Sequence, residues 1–486
     1  MAETKSDETR AAAPVLPPRR FESRHAGVFG GRPVDYRAVA AETHLHDSEG
    51  KPRASIFSTS YLMEGVVDPS GRPVTFVFNG GPGSSSMWLH MGTFGPRRVV
   101  VPSDARSAGA PPFPVTDNAH SPLDATDLVF VDPVGTGWSR PLGEAKLEDF
   151  WGVDQDAGVL VEFVEAWLTE HRRWNSPRYL AGESYGTTRV VAMAGKMHGD
   201  FKGVGLTGLI LISAVLDFHT VRFNPGNVLP EIAYLPTYAA TALHHGVLRA
   251  DDRDAFLRDA REYARTAYAA ALLSGAADDP AAARAEAERM ARFVGLDPAF
   301  LVRSRLRVDP PRFRKELLRG RGLTVGRLDA RYVGRDPDDA GDAPEADASS
   351  YAIDTAYVAG ANDHFGRTLG VSMDRPYVGF NRDALGKWDW LGKPQLGGGL
   401  MRVWPTSVNV APTLGRVVRE QPGVRVLVAN GLYDLATPFF ACELSLATNG
   451  VDRSRVRMTY YEAGHMMYVH EPSLDAFAAD VRGVYA

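Results

Sequence analysis

One serine lies between two glycines in Gly182-Glu183-Ser184-Tyr185-Gly186, after the apolar run Arg178–Ala181 and before a helical pattern. G-x-S-x-G at a strand-to-helix junction predicts a sharp turn that lifts a nucleophilic hydroxyl above a sheet. The glycines fit that geometry, because bulky neighbours at either end of the turn would collide. A serine hydroxyl needs a base to take its proton, and the base needs an acid to fix its tautomer. In a fold of this kind the chain order is Ser, acid, His, with the last two after late strands. Asp434 follows the apolar run Val424–Ala429 in ANGLYDLATP, and His465 follows Val456–Tyr461 in YYEAGHMMY. Ser184 is therefore the expected nucleophile, His465 the base and Asp434 the orienting acid.

The stretch NGGPGSSS, Asn79–Ser86, follows the buried-strand pattern Val74–Phe78. Adjacent glycines let backbone amides approach a ligand closely. The Gly81 amide is expected to pair with the amide of Tyr185 as an oxyanion hole, an interaction worth a few kcal/mol to a transition state.

These residues need strands to hold them. Two candidate strands flank the turn-like HDSEGKPR within Ala38–Leu62, and TDLVFVDPVGTGWS runs from an apolar strand into a glycine turn. Helical spacing of Leu160, Phe163, Val164, Trp167 and Leu168 predicts a helix over Asp154–Arg172, and Thr207–Ser213 reads as a further buried strand. Strands alternating with helices predict an α/β fold, a mostly parallel sheet with helices on both faces. From 218 to 401 the texture becomes Ala- and Arg-rich and helical, notably in Asp251–Ala271 and Ala281–Phe293. The expected organisation is a polar arm over 1–25, an α/β core over 26–217 and 402–486, and an inserted, mainly helical cap over 218–401. The acidic segment Gly334–Ser350 reads as a surface loop.

The chain has 486 residues, 44% hydrophobic and 23% charged, with a net charge of -5. This balance gives no electrostatic reason to expect nucleic acid or an anionic membrane as a partner. The N-terminal stretch has acids near its start and no apolar segment of signal-peptide length. No run is long enough to span a bilayer. Cys442 is the only cysteine, so no intrachain disulfide forms, and no Cys/His cluster suggests a zinc site. The expectation is a soluble cytoplasmic protein that uses neither a metal nor an organic cofactor.

NGGPGSSS, VDPVGTGWS, GESYG, NGLYD and AGHMM, in this order, together resemble the serine carboxypeptidases (peptidase family S10), exopeptidases with an α/β-hydrolase fold. Proline iminopeptidases share a GGPG turn, but their serine motif typically lacks the preceding Glu. The resemblance implies that Ser184, Asp434 and His465 form the triad, that Gly81 and Tyr185 supply oxyanion amides, and that the substrate is a peptide. It also implies that Asn79 and Glu183, with the Gly80 amide, bind the peptide's terminal carboxylate. A protonated Glu183 can donate to that carboxylate, whereas an ionised one repels it, so binding is expected to weaken as pH rises.

The sequence departs from the family pattern in three places. Ser84 stands where the family usually has Cys, in keeping with a bacterial-type member without disulfides. Thr93 stands where a Glu of the carboxylate-binding network is usual. The interval from Asp434 to His465 is also shorter than in secreted relatives. Thr93 keeps open an esterase or acyltransferase with the same triad. A catalytically inactive hydrolase-fold binding protein is the remaining alternative, against which the presence of all three triad residues argues.

Among other residues, the tryptophans of Lys387–Lys393 are expected in the core of the cap. His244 and His245 lack an acidic partner at metal spacing and read as surface or packing residues. Cys442 is expected to pack in a helix after Pro438, and the basic stretch Arg312–Arg321 reads as a solvated face.

Overall fold

The computed structural model of the chain describes residues 15–198, 203–391, 395–396, 402–403 and 407–486. Three long strands come first, β1 (Arg20–Phe29), β2 (Arg32–His46) and β3 (Pro52–Met63), paired antiparallel. β1 alternates exposed and half-buried positions, as an edge strand with one wet face does. It begins at Arg20, so six residues expected in a polar arm ending at residue 25 are sheet instead.

Short apolar runs build the rest of the sheet. β4 (Val74–Phe78) and β5 (Asp127–Val131) are buried throughout. The short β6 (Arg140–Pro141) lies against β3. β7 (Arg178–Glu183), β8 (Gly208–Ile212), β9 (Arg425–Gly431) and β10 (Val456–Tyr461) complete a ten-stranded sheet of order β1-β2-β3-β5-β4-β7-β8-β9-β10. From β5 onward every pairing is parallel. The chain moves from β4 outward to β5, then crosses back to place β7 on the other side of β4. The ends of β4 and β7 thus form the switch point where an open α/β sheet leaves a crevice.

Helices cover both faces. Between them, α1 (Val153–Glu170) and α2 (Tyr185–Met197) bring Leu160, Phe163, Val164, Trp167, Val190 and Met193 to one face. α3 (Leu229–His244), α4 (Arg253–Tyr263) and α5 (Pro280–Val294) pack together in a separate apolar cluster that includes Leu432, Tyr433, Leu435, Phe439 and Phe440. α6 (Ala348–Asp363) instead joins the second face of the sheet with Tyr61 and Phe130. α7 (Ala411–Glu420) joins the α1 and α2 face, α8 (Phe439–Thr448) follows Pro438, and α9 (Glu471–Tyr485) lies with α6.

The stretch expected to form one cap therefore packs in two places. Residues from α3 to about 330 make a helical layer of their own, and residues 348–371 return to the sheet. Two buried polar ties fix that return. The Tyr61 hydroxyl lies 2.7 Å from His90 Nε2 and 2.8 Å from His364 Nε2. Glu42, buried on β2, accepts from Arg375 at 2.6 Å and from Arg140 at 3.3 Å.

The basic stretch is a solvated face only in part, at Arg312 and Arg321. Lys315 is 2% exposed and donates to Asp336 Oδ2 and the Asp338 carbonyl, both at 2.7 Å. Arg314 donates to the carbonyls of Val325 and Ala346 at 3.0 and 3.1 Å. These cations tie down the two ends of the acidic loop. Cys442 packs inside α8, where burial pushes its thiol up to about 12. His244 packs on the Tyr433 ring, and His245 Nε2 lies 2.6 Å from the Ala330 carbonyl. Among the described residues no helix is long and apolar enough to cross a membrane.

Candidate active site

The sequence ends β7 with Glu183 and starts α2 at Tyr185, which leaves Ser184 alone in the turn. Its φ of 61° and ψ of -130° lie outside the favoured regions for a residue with a side chain. The strain is held from several sides. Ser184 N donates to the Ile212 carbonyl of β8 at 3.0 Å. A Cβ at Gly182 would lie 2.2 Å from the Gly186 carbonyl oxygen, so only glycines let the turn close this tightly. Gly80, at the end of β4, presses on the same turn, since a Cβ there would lie 2.6 Å from Tyr185 N and 2.8 Å from Ser184 Cβ. The backbone of NGGPG therefore runs against Ser184. Neither the Gly81 nor the Tyr185 amide has a backbone acceptor among the described residues.

The NGGPG loop is anchored from outside. Ser86 N donates to Asp132 Oδ1 at 2.9 Å, and Tyr377 OH donates to the same oxygen at 3.1 Å. Asp132 opens the DPVGTGWS segment after β5, which accounts for the conjunction of the two motifs. Burial pushes its carboxyl up to about 7, against both hydrogen bonds. Arg189, fully buried on α2, donates to the Asn79 carbonyl through Nη1 and to Asp156 Oδ2 at 2.7 Å through Nε. Its guanidinium stacks on the Tyr185 ring, 5.1 Å from the centroid. Neither Asp132 nor Arg189 was singled out in the sequence. The available signal is the charge of Arg189 in the middle of a helix, just before the apolar run Val190–Ala194.

Asp434 and His465 are together. His465 Nδ1 lies 2.7 Å from Asp434 Oδ2. The carboxylate also accepts from Ala436 N at 2.8 Å, Thr437 N at 2.9 Å and Thr437 Oγ1 at 2.7 Å. Burial works against a charged imidazole, but the Asp434 carboxylate overcomes it and holds the His465 pKa above its usual value. Ser213 Oγ, one residue past β8, donates to the His465 carbonyl at 2.6 Å and ties the histidine loop to the strand that holds Ser184. Among the described residues Ser184 Oγ makes no hydrogen bond, so the structure joins His465 to Asp434 but does not hydrogen-bond Ser184 to His465. Such contacts are often long in unliganded hydrolases.

The helical layer reaches this pair directly. Leu435 N donates to the Arg327 carbonyl at 3.0 Å, His465 N to the Leu328 carbonyl at 2.6 Å, and Ala330 N to the Tyr433 carbonyl at 2.9 Å. A Cβ at Gly464 would lie 2.4 Å from Asp329 Cα. Residues 327–330 thus run between the two loops that carry Asp434 and His465.

Asn79 and Glu183 also meet. Asn79 Nδ2 donates to Glu183 Oε1 at 3.0 Å, and the Leu89 amide fixes the Asn79 side chain by donating to Oδ1 at 3.0 Å. Tyr468 OH donates to Glu183 Oε2 at 2.7 Å. Burial pushes the Glu183 carboxyl up to about 7, although His465 and these donors favour its ionised form. Thr93 is buried nearby in the chain, but its carbonyl, not its hydroxyl, is engaged, accepting from Asn118 at 2.6 Å.

Trp388 and Trp390 are not in the core of the helical layer as expected. Their rings lie 5.3 and 5.9 Å from that of Tyr185, edge-on, because residues 377–390 fold back over the NGGPG loop. Gly392 and Lys393, the last residues of that stretch, lie outside the described residues. An open cleft of about 970 Å³ lined by Glu22, Arg37, Arg72, Asp127 and Arg173 contains none of the candidate residues.

Known proteins are similar to parts of this chain. The family model described as serine carboxypeptidase matches residues 53–240. Serine carboxypeptidase-like 34 of Arabidopsis thaliana is 27% identical over 199 residues, which is 39% of this chain and 37% of that protein. The pheromone-processing carboxypeptidase kex1 of Pyrenophora tritici-repentis is 36% identical over 171 residues, 31% of this chain and 24% of that protein. Each match spans well under half of the relative's own length. Among solved structures, KEX1(delta)p, a prohormone-processing carboxypeptidase from Saccharomyces cerevisiae, aligns with a TM-score of 0.56 at 16% identity, covering 93% of this chain and 90% of that one. This last likeness shows the α/β-hydrolase fold. The family match spans the segment that bears the NGGPG loop and Ser184, and over that segment the chain is similar to the serine carboxypeptidases.

Proposed function

We propose that the protein is a serine-type carboxypeptidase that removes C-terminal residues from peptides through an acyl-enzyme. Ser184 Oγ attacks the carbonyl carbon of the last peptide bond while His465 Nε2 takes its proton. Asp434 holds Nδ1–H and stabilises the imidazolium that forms. The Gly81 and Tyr185 amides receive the oxyanion. The imidazolium returns the proton to the leaving amine. Water then attacks the ester by the same route in reverse, releasing the shortened peptide and restoring Ser184.

The observation that carries this reading is the buried Asn79–Glu183 pair beside the nucleophile, with a carboxyl held near 7. A neutral Glu183 donates to a terminal carboxylate, and Asn79 and the Gly80 amide add donors. An endopeptidase or ordinary esterase has no use for such a group.

The test is hydrolysis of a blocked dipeptide and its C-terminal amide between pH 4 and pH 8, with wild type and Ser184→Ala. The expected result is preference for the free acid at low pH, lost in the variant. Thr93 favours the second reading, an esterase or acyltransferase with the same triad. Equal cleavage of acid and amide, or cleavage of esters alone, selects it. Failure of Ser184 to react with a fluorophosphonate selects an inactive binding protein.

A further inference from the structure

Glu183 has a partner that no motif predicts. Tyr468 lies three residues after His465, in the turn before α9, and is 1% exposed. Its ring reaches Glu183 because residue 92 is glycine. A Cβ there would lie 2.3 Å from the ring's Cε2 and 2.6 Å from Cδ2. With Asn79 on one oxygen and Tyr468 on the other, each oxygen of the Glu183 carboxyl has one neutral donor. No basic side chain forms an ion pair with it among the described residues.

Other titratable groups face Glu183 and Tyr468 from every side. His465 and Asp434 lie on the triad side, Tyr357 reaches in from α6, and the Arg98–Glu471 pair lies beyond Tyr357. Of the groups contacting Glu183 directly, Tyr468 alone carries an ionisable hydrogen, and burial holds that phenol well above its usual range.

Resting on the carboxypeptidase reading, we infer that Tyr468 is the positioning residue that sets the pH range over which a peptide's free carboxylate is accepted, by fixing the Glu183 carboxyl through a proton that Tyr468 never gives up. A second carboxyl at this place would share a proton with Glu183, and the two would titrate as a coupled pair. A phenol keeps its proton across the working range, so Glu183 loses its own proton in a single step. The phenol's hydrogen bond favours the ionised carboxylate. Acceptance of the free acid therefore ends at a lower pH than it would without Tyr468.

The readout is the ratio of kcat/KM for a blocked dipeptide to that for its amide, followed across pH. Titration of the triad cancels in this ratio. In wild type the ratio falls through one proton. In Tyr468→Phe its midpoint moves up by about one pH unit, with the change carried by KM. Gly92→Ala, which displaces the ring without removing the phenol, moves the midpoint the same way. A midpoint that stays or moves down in Tyr468→Phe overturns the inference. If that variant does not fold, the wild-type slope decides, and a two-proton fall overturns it. A wild type that never prefers the acid overturns the carboxypeptidase reading and this inference with it. A preference with the wrong slope or shift overturns this inference alone.

Discussion

Ser184 hangs from its neighbour strand, because its main-chain N–H donates at 3.0 Å to the carbonyl of Ile212. A φ of 61° with ψ of -130° costs a residue with a Cβ roughly 1–3 kcal/mol, and glycine much less. Ser184→Gly is therefore expected to unfold at higher denaturant, by about 1 kcal/mol, while Ser184→Ala gains nothing. Both variants lose acylation. Equal midpoints for the two would mean that the turn is not strained.

Two buried carboxyls make stability depend on pH. Burial pushes Glu183 and Asp132 up to about 7, above their usual values of 4.5 and 3.8. A carboxyl raised in the folded state contributes stability that is fully present below the unfolded pKa and is lost as pH rises through the folded one. These two carboxyls thus contribute more stability at pH 4.5 than at pH 8, each up to about 3 kcal/mol, while the buried His90, His171, His244 and His364, which burial holds below the usual imidazole value, contribute in the opposite sense. Glu183→Gln should remove that residue's share, so the unfolding free energy at pH 4.5 relative to pH 8 falls in the variant compared with wild type. An unchanged difference in that variant would rule out Glu183 as a source of it.

Thr437 holds Asp434 through both its hydroxyl and its amide. Thr437→Val removes only the hydroxyl, and kcat/KM is expected to fall about tenfold. Asp434→Asn, which leaves the imidazole in the wrong tautomer, is expected to lower kcat by roughly 10⁴. Comparable losses in the two variants would give the threonine a larger part than the hydrogen bonds suggest.

Lys315 is the buried end of a tether. Lys315→Met leaves Asp336 without its cation, and breaking such a pair costs about 3 kcal/mol. Limited proteolysis should cut between 336 and 346 faster in the variant. The double variant Lys315→Met, Asp336→Leu should recover most of the resistance.

Gly464 has no room for a side chain against Asp329. Gly464→Ala must move either the helical layer or the histidine loop. The expected result is a fall in kcat of more than about 100-fold with a smaller change in KM. Wild-type kcat in this variant would show that the contact yields without disturbing His465.

The strand ends that carry Ser184, Asp434 and His465 and the glycine turns were legible because strand-end patterns are local. An apolar run, a turn and a reactive residue sit within ten positions, as at Ser184, Asp434 and His465. What was not legible depends on pairings distant in sequence. The stretch Arg312–Arg321 reads as a charged surface until Asp336 and the Ala346 carbonyl come back to meet it. Tyr468 has no local pattern, and its meaning comes from Gly92 and Glu183, each hundreds of residues away. The packing of α6 on the sheet rests on Tyr61 and Glu42 near the start of the chain. The tryptophans at 388 and 390 were placed on the wrong side because composition reports burial but not against what.

The run from Arg327 to Ala330 bonds to both the Asp434 and the His465 loops, so the helical layer is not an interchangeable lid. A chimera that imports this layer from a relative to alter side-chain preference also imports a foreign brace for Asp434 and His465. Such exchanges should keep residues 324–332 of the host and join the new helices outside them. Variation in the layer is then freest near α5, because α4 meets the histidine loop through the Arg253–Glu462 ion pair.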